Sequence, residues 1–279
     1  MTVPRIELND GASIPQLGLG VFRVPSEDTA RVVTDALEVG YRHVDTAQMY
    51  GNEEGVGKAI AASGLPREDL YVTTKLDNGF HRPVDARRAF DDSQARLGLD
   101  RVDLFLIHWP LPMHYDGDFV STWQALLELK EEGLATSVGV SNFQPDHLER
   151  IVTETGVAPA VNQVECHPFF HNDPVRTANA KYGVVTESWA PIAKGRVGDD
   201  EGIARIASEV GRTPAQVVLR WHLQHGRVVF PKTTRVERMR ENFALFDFDL
   251  TEDQMSTLDS LDRGEAGRLG AHPDRMDRL

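Results

Sequence analysis

Four side chains able to exchange protons lie at or just after the ends of apolar segments. Asp45 and Tyr50 lie in "HVDTAQMYGNE", Lys75 lies near the end of "LYVTTKL", and His108 closes "VDLFLIH". A phenol is a poor proton donor in water, with a pKa of about 10, but a neighbouring ammonium stabilises the phenolate. Placed together, Lys75 would lower the pKa of Tyr50 while Asp45 held Lys75 charged and in position. His108 would hydrogen-bond the substrate oxygen that Tyr50 protonates, so the set suits protonation of a developing alkoxide.

Each of these residues alone has an ordinary structural interpretation. A lysine at a strand end commonly extends into solvent, a histidine after an apolar segment is commonly a core residue, and an aspartate there is commonly a helix N-cap. A fold that brought all four to one place would change this, because burial and mutual charge would then perturb their pKa values. The functional prediction therefore depends on the elements that carry them.

Short apolar segments alternate with helical patterns along the chain, as is typical of repeated βα units and a parallel sheet. In the first half of each apolar segment, the side chains that point to either face of a strand are both hydrophobic. This pattern is typical of strands that are covered on both faces. Eight strands are predicted, at residues 17–22, 42–47, 70–76, 102–108, 136–142, 160–165, 184–190 and 228–233.

The helical segments between the strands carry start and stop signals. In "SEDTARVVTDALEVG" we predict Ser26 as the N-cap and Gly40 just past the end. In "TPAQVVLRWHLQHG" we predict Thr213 as the N-cap, Pro214 as the first helical residue and Gly226 as the stop.

Eight successive βα units predict a (β/α)8 TIM barrel, formed as one domain by residues 1–279. The segment "IELNDGASIPQ" predicts a β-hairpin around Asn9-Asp10-Gly11 that closes one end of the barrel. After the eighth unit we expect an extra helix capped by Thr251, then a Gly/Arg/Asp-rich tail without regular structure. A doubly wound sheet is the alternative, but its GxGxxG loop after a strand is absent from the sequence.

Composition disfavours several classes of function. The 279 residues include 30 Lys and Arg against 43 Asp and Glu, a net charge of -13 that disfavours nucleic acid and anionic membranes as partners. The single cysteine, Cys166, cannot form an internal disulfide and is interpreted as a buried apolar residue, and no ligand spacing indicates a metal. No signal peptide and no run of eighteen apolar residues is present, so we expect a cytoplasmic protein.

Several long motifs, in order, resemble the aldo-keto reductases. They are "GYRHVDTAQMYGNEEGVGKAI", "TTKL", "IHWP", "VGVSNF", "VNQVECHP" and "VVFPKTTRVERMRENFALFDF". The chain is most similar to bacterial reductases of the 2,5-diketo-D-gluconic acid type. The resemblance implies NADPH-dependent reduction of aldehydes or ketones to alcohols. We expect the protein to be a monomer. It also places the family's catalytic tetrad on Asp45, Tyr50, Lys75 and His108, with Tyr50 as the general acid.

The resemblance also implies how the nicotinamide end of the cofactor is held. Ser141, Asn142 and Gln163 match the residues that bind the carboxamide, which needs both donors and acceptors. Trp189 matches the aromatic residue that stacks on the ring.

At the other end of the cofactor, Lys232, Thr233 and Arg238 match the family's contacts to the adenosine 2′-phosphate. Glu241 and Asn242 match its contacts to the adenine. Two cations at a phosphate suit NADPH better than NADH.

The sequence departs from the family pattern after the stacking aromatic. Where relatives often have glycines that hold the pyrophosphate, "WAPIAKGRVG" has Ala190, Ile192 and Ala193 before its first glycine. We therefore expect Lys194 to contribute to pyrophosphate binding. The segment is also short, which disfavours a long loop folded over the cofactor.

A second departure concerns the substrate pocket. Asp77 stands where a tryptophan commonly follows the catalytic lysine by two residues. We expect Phe22, Trp109 and Trp189 to form the pocket, with Asp77 at its rim, or else turned outward to pair with Arg82 or capping the local turn. A carboxylate at the rim favours small neutral aldehydes and dicarbonyls over keto acids, although keto sugars and keto acids stay open as substrates.

Two other functions compete with this one. A non-catalytic, cofactor-sensing subunit is known within the family, but the intact tetrad argues against it. A metal-dependent barrel hydrolase could use His43, Asp45 and His108, but further ligands are missing from the sequence.

Overall fold

The protein is described by a computed structural model that covers residues 3–279. Its strands are β1 (Arg5–Glu7), β2 (Ser13–Pro15), β3 (Leu19–Gly20), β4 (His43–Asp45), β5 (Tyr71–Leu76), β6 (Val102–Ile107), β7 (Ala135–Ser141), β8 (Val161–Glu165), β9 (Val185–Trp189) and β10 (Val228–Val229). Its helices are α1 (Ser26–Val39), α2 (Glu53–Ala62), α3 (Pro83–Leu97), α4 (Val120–Glu131), α5 (Pro145–Thr155), α6 (Asp173–Lys181), α7 (Glu201–Val210), α8 (Pro214–Gln224), α9 (Val236–Phe243) and α10 (Glu252–Asp259). No helix in this range is long and apolar enough to cross a membrane.

Eight strands, β3 to β10, pair in parallel and in sequence order. The sheet closes on itself through bridges from Leu17 to Val229 and from Gly20 to Lys232. The predicted (β/α)8 barrel is confirmed, and the doubly wound alternative is wrong because an open sheet would leave these edges unpaired.

The first and last barrel strands are much shorter than predicted. Residues 17–22 and 228–233 were expected as strands, but β3 and β10 have two residues each. Pro231 has no N–H to donate, which limits β10. A Cβ on Gly20 would stand 2.6 Å from the Phe230 carbonyl oxygen, so the two segments approach closely without a regular ladder.

Most of the predicted helix ends are confirmed, with one correction. Thr213 and Thr251 each cap a helix and accept a hydrogen bond from the backbone N–H three residues on. Ser26 is the first residue of α1 and not its cap. Pro25 occupies the cap position, because its φ of -55° and ψ of 144° already give the extended geometry that a cap requires.

The hairpin of β1 and β2 covers the end of the barrel at which the parallel strands begin. Asn9 Nδ2 donates to Pro159 O at 2.9 Å, just before β8, and Lys130 Nζ lies 2.5 Å from Asp10 Oδ2. One buried cluster joins hairpin residues to strand residues inside the barrel: Leu8, Ile14, Tyr71, Leu104, Leu106, Ala160, Val161 and Val228. The prediction that the hairpin plugs one barrel end is therefore confirmed.

The tail after α10 crosses the opposite end of the barrel. It contains only short 3₁₀ turns, at Gly264–Gly267 and Pro273–Arg275, close to the expectation of no regular structure. Asn78 Nδ2 donates to Arg278 O at 2.7 Å, and the Glu165 carboxylate accepts from the N–H groups of Leu269 and Gly270 at 2.6 and 2.8 Å. The tail thus forms part of the rim at the carboxyl ends of the strands.

Gly57 permits the close contact between α2 and α3. A Cβ there would stand 2.2 Å from the Leu97 carbonyl oxygen and 2.6 Å from its carbonyl carbon. Gly57→Ala should lower the free energy of unfolding by about 1–3 kcal/mol, since the helices must separate despite alanine's better helix propensity. Urea unfolding measures this. In the control Gly198→Ala the new Cβ meets no atom within 4 Å; equal losses in both variants would contradict the explanation.

Candidate active site

The four predicted proton-exchanging residues meet at the carboxyl ends of three neighbouring strands. Asp45 ends β4, Lys75 is the penultimate residue of β5, and His108 directly follows β6. Tyr50 ends a 3₁₀ turn, Gln48–Tyr50, that follows β4. The parallel register places β4, β5 and β6 side by side, and this is why residues distant in sequence share one site.

Asp45 and Lys75 form a buried ion pair. Lys75 Nζ donates to Asp45 Oδ1 at 2.7 Å and Oδ2 at 2.9 Å, and to Thr46 O at 2.8 Å. Burial would lower the pKa of Lys75, but the Asp45 carboxylate more than reverses this and raises it. Burial raises the pKa of Asp45, opposed by Lys75 and by a hydrogen bond from Gln163. With three donated hydrogen bonds on the carboxylate, the ionised pair is the form that this geometry supports.

Tyr50 lies against this ion pair. Lys75 Nζ is 3.3 Å from the Tyr50 hydroxyl and 5.0 Å from the ring centroid. We expected Lys75 to lower the pKa of Tyr50, but the pKa is raised, since burial raises it more than the ammonium lowers it. The phenol is therefore protonated at neutral pH, as a proton donor must be.

His108 faces the same ring. The centroids of Tyr50 and His108 are 5.7 Å apart, with the rings inclined at 71°. Burial, followed by the charge of Lys75, holds the pKa of His108 well below its ordinary value, so the imidazole is neutral. Nδ1 is buried without a hydrogen-bond partner among residues 3–279. A neutral imidazole offers one N–H donor to an oxygen beside Tyr50 without competing for its proton.

The metal-hydrolase alternative fails at His43. Its ring lies inside the barrel with both nitrogens engaged, Nδ1 at 3.4 Å from Pro15 O and Nε2 at 3.1 Å from Thr73 Oγ1. Burial lowers the pKa of His43 to about 3. Neither nitrogen is directed at Asp45 or His108, so the three residues do not form a ligand set.

The residues expected at the nicotinamide also meet next to the tetrad. Ser141 Oγ donates to Gln163 O at 2.8 Å, and Asn142 Nδ2 donates to His108 O at 2.9 Å. Asn142 adopts a φ of 65°, and its Oδ1 accepts from Trp189 Nε1 at 2.8 Å. The indole plane beside these amides is thereby fixed in orientation.

Gln163 joins this group to the tetrad directly, and it also contacts Glu187, a residue that the sequence analysis missed. Its Nε2 donates to Asp45 Oδ2 at 2.8 Å and to Glu187 Oε2 at 2.9 Å. With both N–H groups engaged, only its carbonyl oxygen is left for a ligand. The signal for Glu187 was present in "VVTESWA", a carboxylate within a strand two residues before Trp189.

The residues expected at the adenosine phosphate lie around the start of α9. Lys232 and Arg238 are exposed, and within residues 3–279 neither has an acidic group within 4 Å. Thr233 is buried, and its Oγ1 accepts from Arg235 N at 3.2 Å. Exposed, unpaired cations at a helix N-terminus suit a phosphate.

Glu241 and Asn242 lie near the end of the same helix, where we expected contacts to the adenine. The Glu241 carboxylate accepts from Thr213 Oγ1 at 2.7 Å, and Asn242 is buried. Glu241 thus ties α9 to the start of α8.

The loop after β9 keeps unusual backbone conformations despite its missing glycines. Ala190, Ala193 and Lys194 have φ values of 51°, 49° and 56°, in the left-handed region that favours glycine. Such strained residues cluster in ligand-binding loops. Lys194 Nζ donates to Leu269 O at 3.1 Å, so here this residue holds the tail. Its contribution at a pyrophosphate stays a prediction.

Of the expected pocket residues, Phe22 packs directly against Tyr50. Phe22 is 51% exposed and its ring centroid lies 5.0 Å from that of Tyr50, while Trp109 is partly buried. Asp77 is partly exposed, and its backbone N–H donates to Gln48 Oε1 at 2.7 Å. Within the described range the Asp77 carboxylate has no salt bridge, so the alternative pairing with Arg82 is absent.

Similarity to known proteins extends over nearly the whole chain. A model of the Aldo/keto reductase family matches residues 16–263, a range that contains all four proton-exchanging residues. An aldo-keto reductase from Mycolicibacterium smegmatis is 48% identical over 270 residues, 97% of each chain. Methylglyoxal reductase DkgA from Escherichia coli is 46% identical over 275 residues, again 97% of each chain. A crystal structure of a Gox0644 mutant in complex with NADPH is 45% identical, with a TM-score of 0.95 and 100% of both chains covered.

Proposed function

The chain belongs to the aldo/keto reductase family of NADP-dependent oxidoreductases, and we propose that it reduces small neutral aldehydes and dicarbonyls with Tyr50 as proton donor. One observation carries the proton-donor assignment: Lys75 Nζ contacts both the Tyr50 hydroxyl and the two oxygens of Asp45. An NADPH-oxidation screen with methylglyoxal, sugars, keto acids and aromatic aldehydes tests the proposal. Absence of turnover with every carbonyl would contradict it.

Each of the four tetrad side chains has its own role in the proposed proton transfer. The neutral His108 donates a hydrogen bond that orients the carbonyl oxygen beside Tyr50. As negative charge develops on this oxygen, the Tyr50 hydroxyl gives up its proton to it. The Lys75 ammonium, 3.3 Å from the hydroxyl, stabilises the phenolate that remains. Asp45 keeps Lys75 charged and fixes its position.

NADPH, when bound, supplies the hydride for carbonyl reduction. We assign Ser141, Asn142 and Gln163 to its carboxamide, and the orientation that Asp45 and Glu187 impose on Gln163 fits this role. We assign Trp189 to the nicotinamide ring. The unpaired cations Lys232 and Arg238 fit the 2′-phosphate. We assign the adenosine end of the cofactor to five residues in and just before α9: Lys232, Thr233, Arg238, Glu241 and Asn242.

The preference for neutral substrates rests on Asp77. Its carboxylate is partly exposed two residues after Lys75, and no cation neutralises it within the described residues. Phe22 and Trp109 add apolar surface that suits small uncharged molecules. The name of the Escherichia coli relative, methylglyoxal reductase, agrees with a small dicarbonyl as substrate.

Asp77→Asn is expected to change the choice of substrate. A substrate carboxylate within about 6 Å would meet a repulsion of at most roughly 3 kcal/mol at an effective dielectric of about 20, and less in wet surroundings. Wild type should therefore reduce methylglyoxal with a higher kcat/KM than 2,5-diketogluconate. Asn keeps the size and removes the charge, so kcat/KM for the diketo acid should rise about fivefold while that for methylglyoxal stays unchanged.

Asp92→Asn provides the matched control, since Asp92 is exposed on α3 and the change alters net charge equally. It should leave both substrates unaffected. A wild-type preference for the diketo acid, or an unchanged ratio in Asp77→Asn, would refute the electrostatic explanation.

A cofactor-sensing subunit without catalysis is the alternative function. It would bind NADPH and show no turnover with any carbonyl. The assembled tetrad favours the reductase, because a sensor needs no proton donor beside a buried ammonium.

A further inference from the structure

Glu187 is a buried carboxyl that the proton-transfer scheme does not use. It lies in β9, fully buried, two residues before Trp189 and therefore on the same face of the strand. Its Oε2 accepts from Gln163 Nε2, the same nitrogen that donates to Asp45. One amide NH₂ thus bridges two carboxyl groups.

The charges around Glu187 do not balance if both carboxyls are ionised. Asp45 and Glu187 would carry two negative charges, and Lys75 is the only cation of this group, bonded to Asp45. Glu187 Oε1 has no hydrogen-bond partner among residues 3–279, and the nearby Tyr71 hydroxyl also has none. A buried carboxylate without a cation or a full set of donors is strongly disfavoured.

Other neighbours supply no compensating charge. β10 (Val228–Val229) contains no ionisable side chain, and the charged residues of α6 lie on the outer side of the barrel: Asp173, Arg176 and Lys181. Burial, followed by the charge of Asp45, raises the pKa of Glu187 to about 8. Tyr71 is held protonated, because burial and Glu187 raise its pKa well above the ordinary value.

We propose that Glu187 is held as a neutral acid beneath Gln163, and that its ionisation shifts the site's preference from the reduced to the oxidised cofactor. This inference rests on the proposed function, since it assumes that Trp189 and Gln163 contact the nicotinamide. Glu187 acts as a positioning residue through Gln163. It also determines whether the buried group of Asp45, Lys75 and Glu187 is neutral or carries one negative charge.

The redox preference follows from electrostatics. The oxidised nicotinamide ring is cationic and the reduced ring is neutral, so a buried negative charge favours the oxidised form. With Glu187 protonated, the buried group is neutral and gives the oxidised form no such advantage. Trp189 lies two positions after Glu187 along the strand, a backbone distance of about 7 Å. One unit charge at separations of this order, in an effective dielectric of about 20–40, changes an affinity ratio by about tenfold or more.

Direct titration of the cofactors tests the inference without turnover. The dissociation constants of NADP⁺ and NADPH are measured by fluorescence from pH 6.5 to 9.5. Their ratio is taken at each pH, because any effect of pH on binding of the phosphates is common to both cofactors and cancels. In wild type the ratio Kd(NADP⁺)/Kd(NADPH) should fall about tenfold as pH rises through about 8. In Glu187→Gln, which keeps the size but cannot ionise, it should be independent of pH.

Glu165→Gln is the matched control, because Glu165 is an equally buried glutamate on the neighbouring strand, whose carboxylate holds the tail. It should retain the wild-type pH dependence. If Glu165→Gln abolished the dependence as Glu187→Gln does, the effect would not belong to Glu187.

A second readout uses the protein without cofactor. Glu187 has a pKa of about 8 in the folded protein and its ordinary value of about 4.5 in the unfolded chain. The wild-type protein therefore loses stability as pH rises between these two values, because the unfolded state then releases a proton that the folded state keeps. The difference in melting temperature, Glu187→Gln minus wild type, should therefore increase between pH 5 and pH 8. A difference independent of pH would mean that Glu187 is ionised in the folded protein and would overturn the inference.

The inference and the proposed function fail in different ways. A wild-type ratio that stays constant across this pH range overturns the role of Glu187 even if Glu187→Gln does not fold, and it leaves carbonyl reduction untouched. Loss of all carbonyl turnover with intact cofactor binding would instead overturn the reductase. An infrared band of a protonated carboxyl in wild type, lost above pH 9 and absent from Glu187→Gln, would support the neutral acid directly.

Discussion

Tyr50→Phe is expected to reduce kcat for aldehyde reduction by about 10²–10⁴-fold while leaving the NADPH dissociation constant nearly unchanged. The substitution removes only the hydroxyl that Lys75 Nζ approaches to 3.3 Å. The ring packing against Phe22 and His108 is kept, so the loss reports the proton transfer and not the fold. Single-turnover kinetics with saturating NADPH measures it.

Tyr182→Phe is the matched control, since Tyr182 follows α6 on the outside of the barrel and has no contact with the tetrad. It should retain wild-type turnover. If Tyr50→Phe also stayed near the wild-type rate, another group would have to be the proton donor.

Arg238→Ala is expected to discriminate between the two dinucleotides. A charge-assisted contact to the 2′-phosphate contributes roughly 1.5–3 kcal/mol, and NADH lacks this group. The KM for NADPH should therefore rise about 10- to 150-fold, while the KM for NADH stays within about twofold. Steady-state kinetics with each cofactor at saturating aldehyde provides the comparison.

Arg240→Ala controls for the loss of charge on α9. Arg240 is exposed on the same helix and makes no salt bridge within residues 3–279. It should affect both cofactors little. Equal losses for NADPH and NADH in Arg238→Ala would show that Arg238 acts through the fold and not on a phosphate.

The barrel and the meeting of the tetrad could be predicted because local signals agree with the global fold. Few folds are compatible with eight apolar segments that alternate with capped helices. In a parallel barrel, the carboxyl ends of all strands lie at the same end. Asp45, Lys75 and His108 could thus be brought together before any distance was known. The span of the single domain and the roles of the site residues stay predictions.

Features that depend on pairing between distant elements could not be predicted. The two-residue strands β3 and β10 reflect a close approach between Gly20 and Phe230, which no local pattern reveals. The pKa of Tyr50 depends on how far burial outweighs the ammonium, a balance set by the assembled site. Glu187 was missed because its relation to Asp45 passes through Gln163, on a third strand.

The path of the tail has a practical consequence for handling the protein. Its carbonyl groups at Asp277 and Arg278 bind His114 and Asn78, so the chain ends at the rim of the barrel, beside the entrance of the proposed substrate pocket. A purification tag fused after Leu279 would therefore begin at this entrance and alter the kinetics of bulky aldehydes first. A tag on the hairpin side avoids this, because β1 and β2 cover the other end of the barrel.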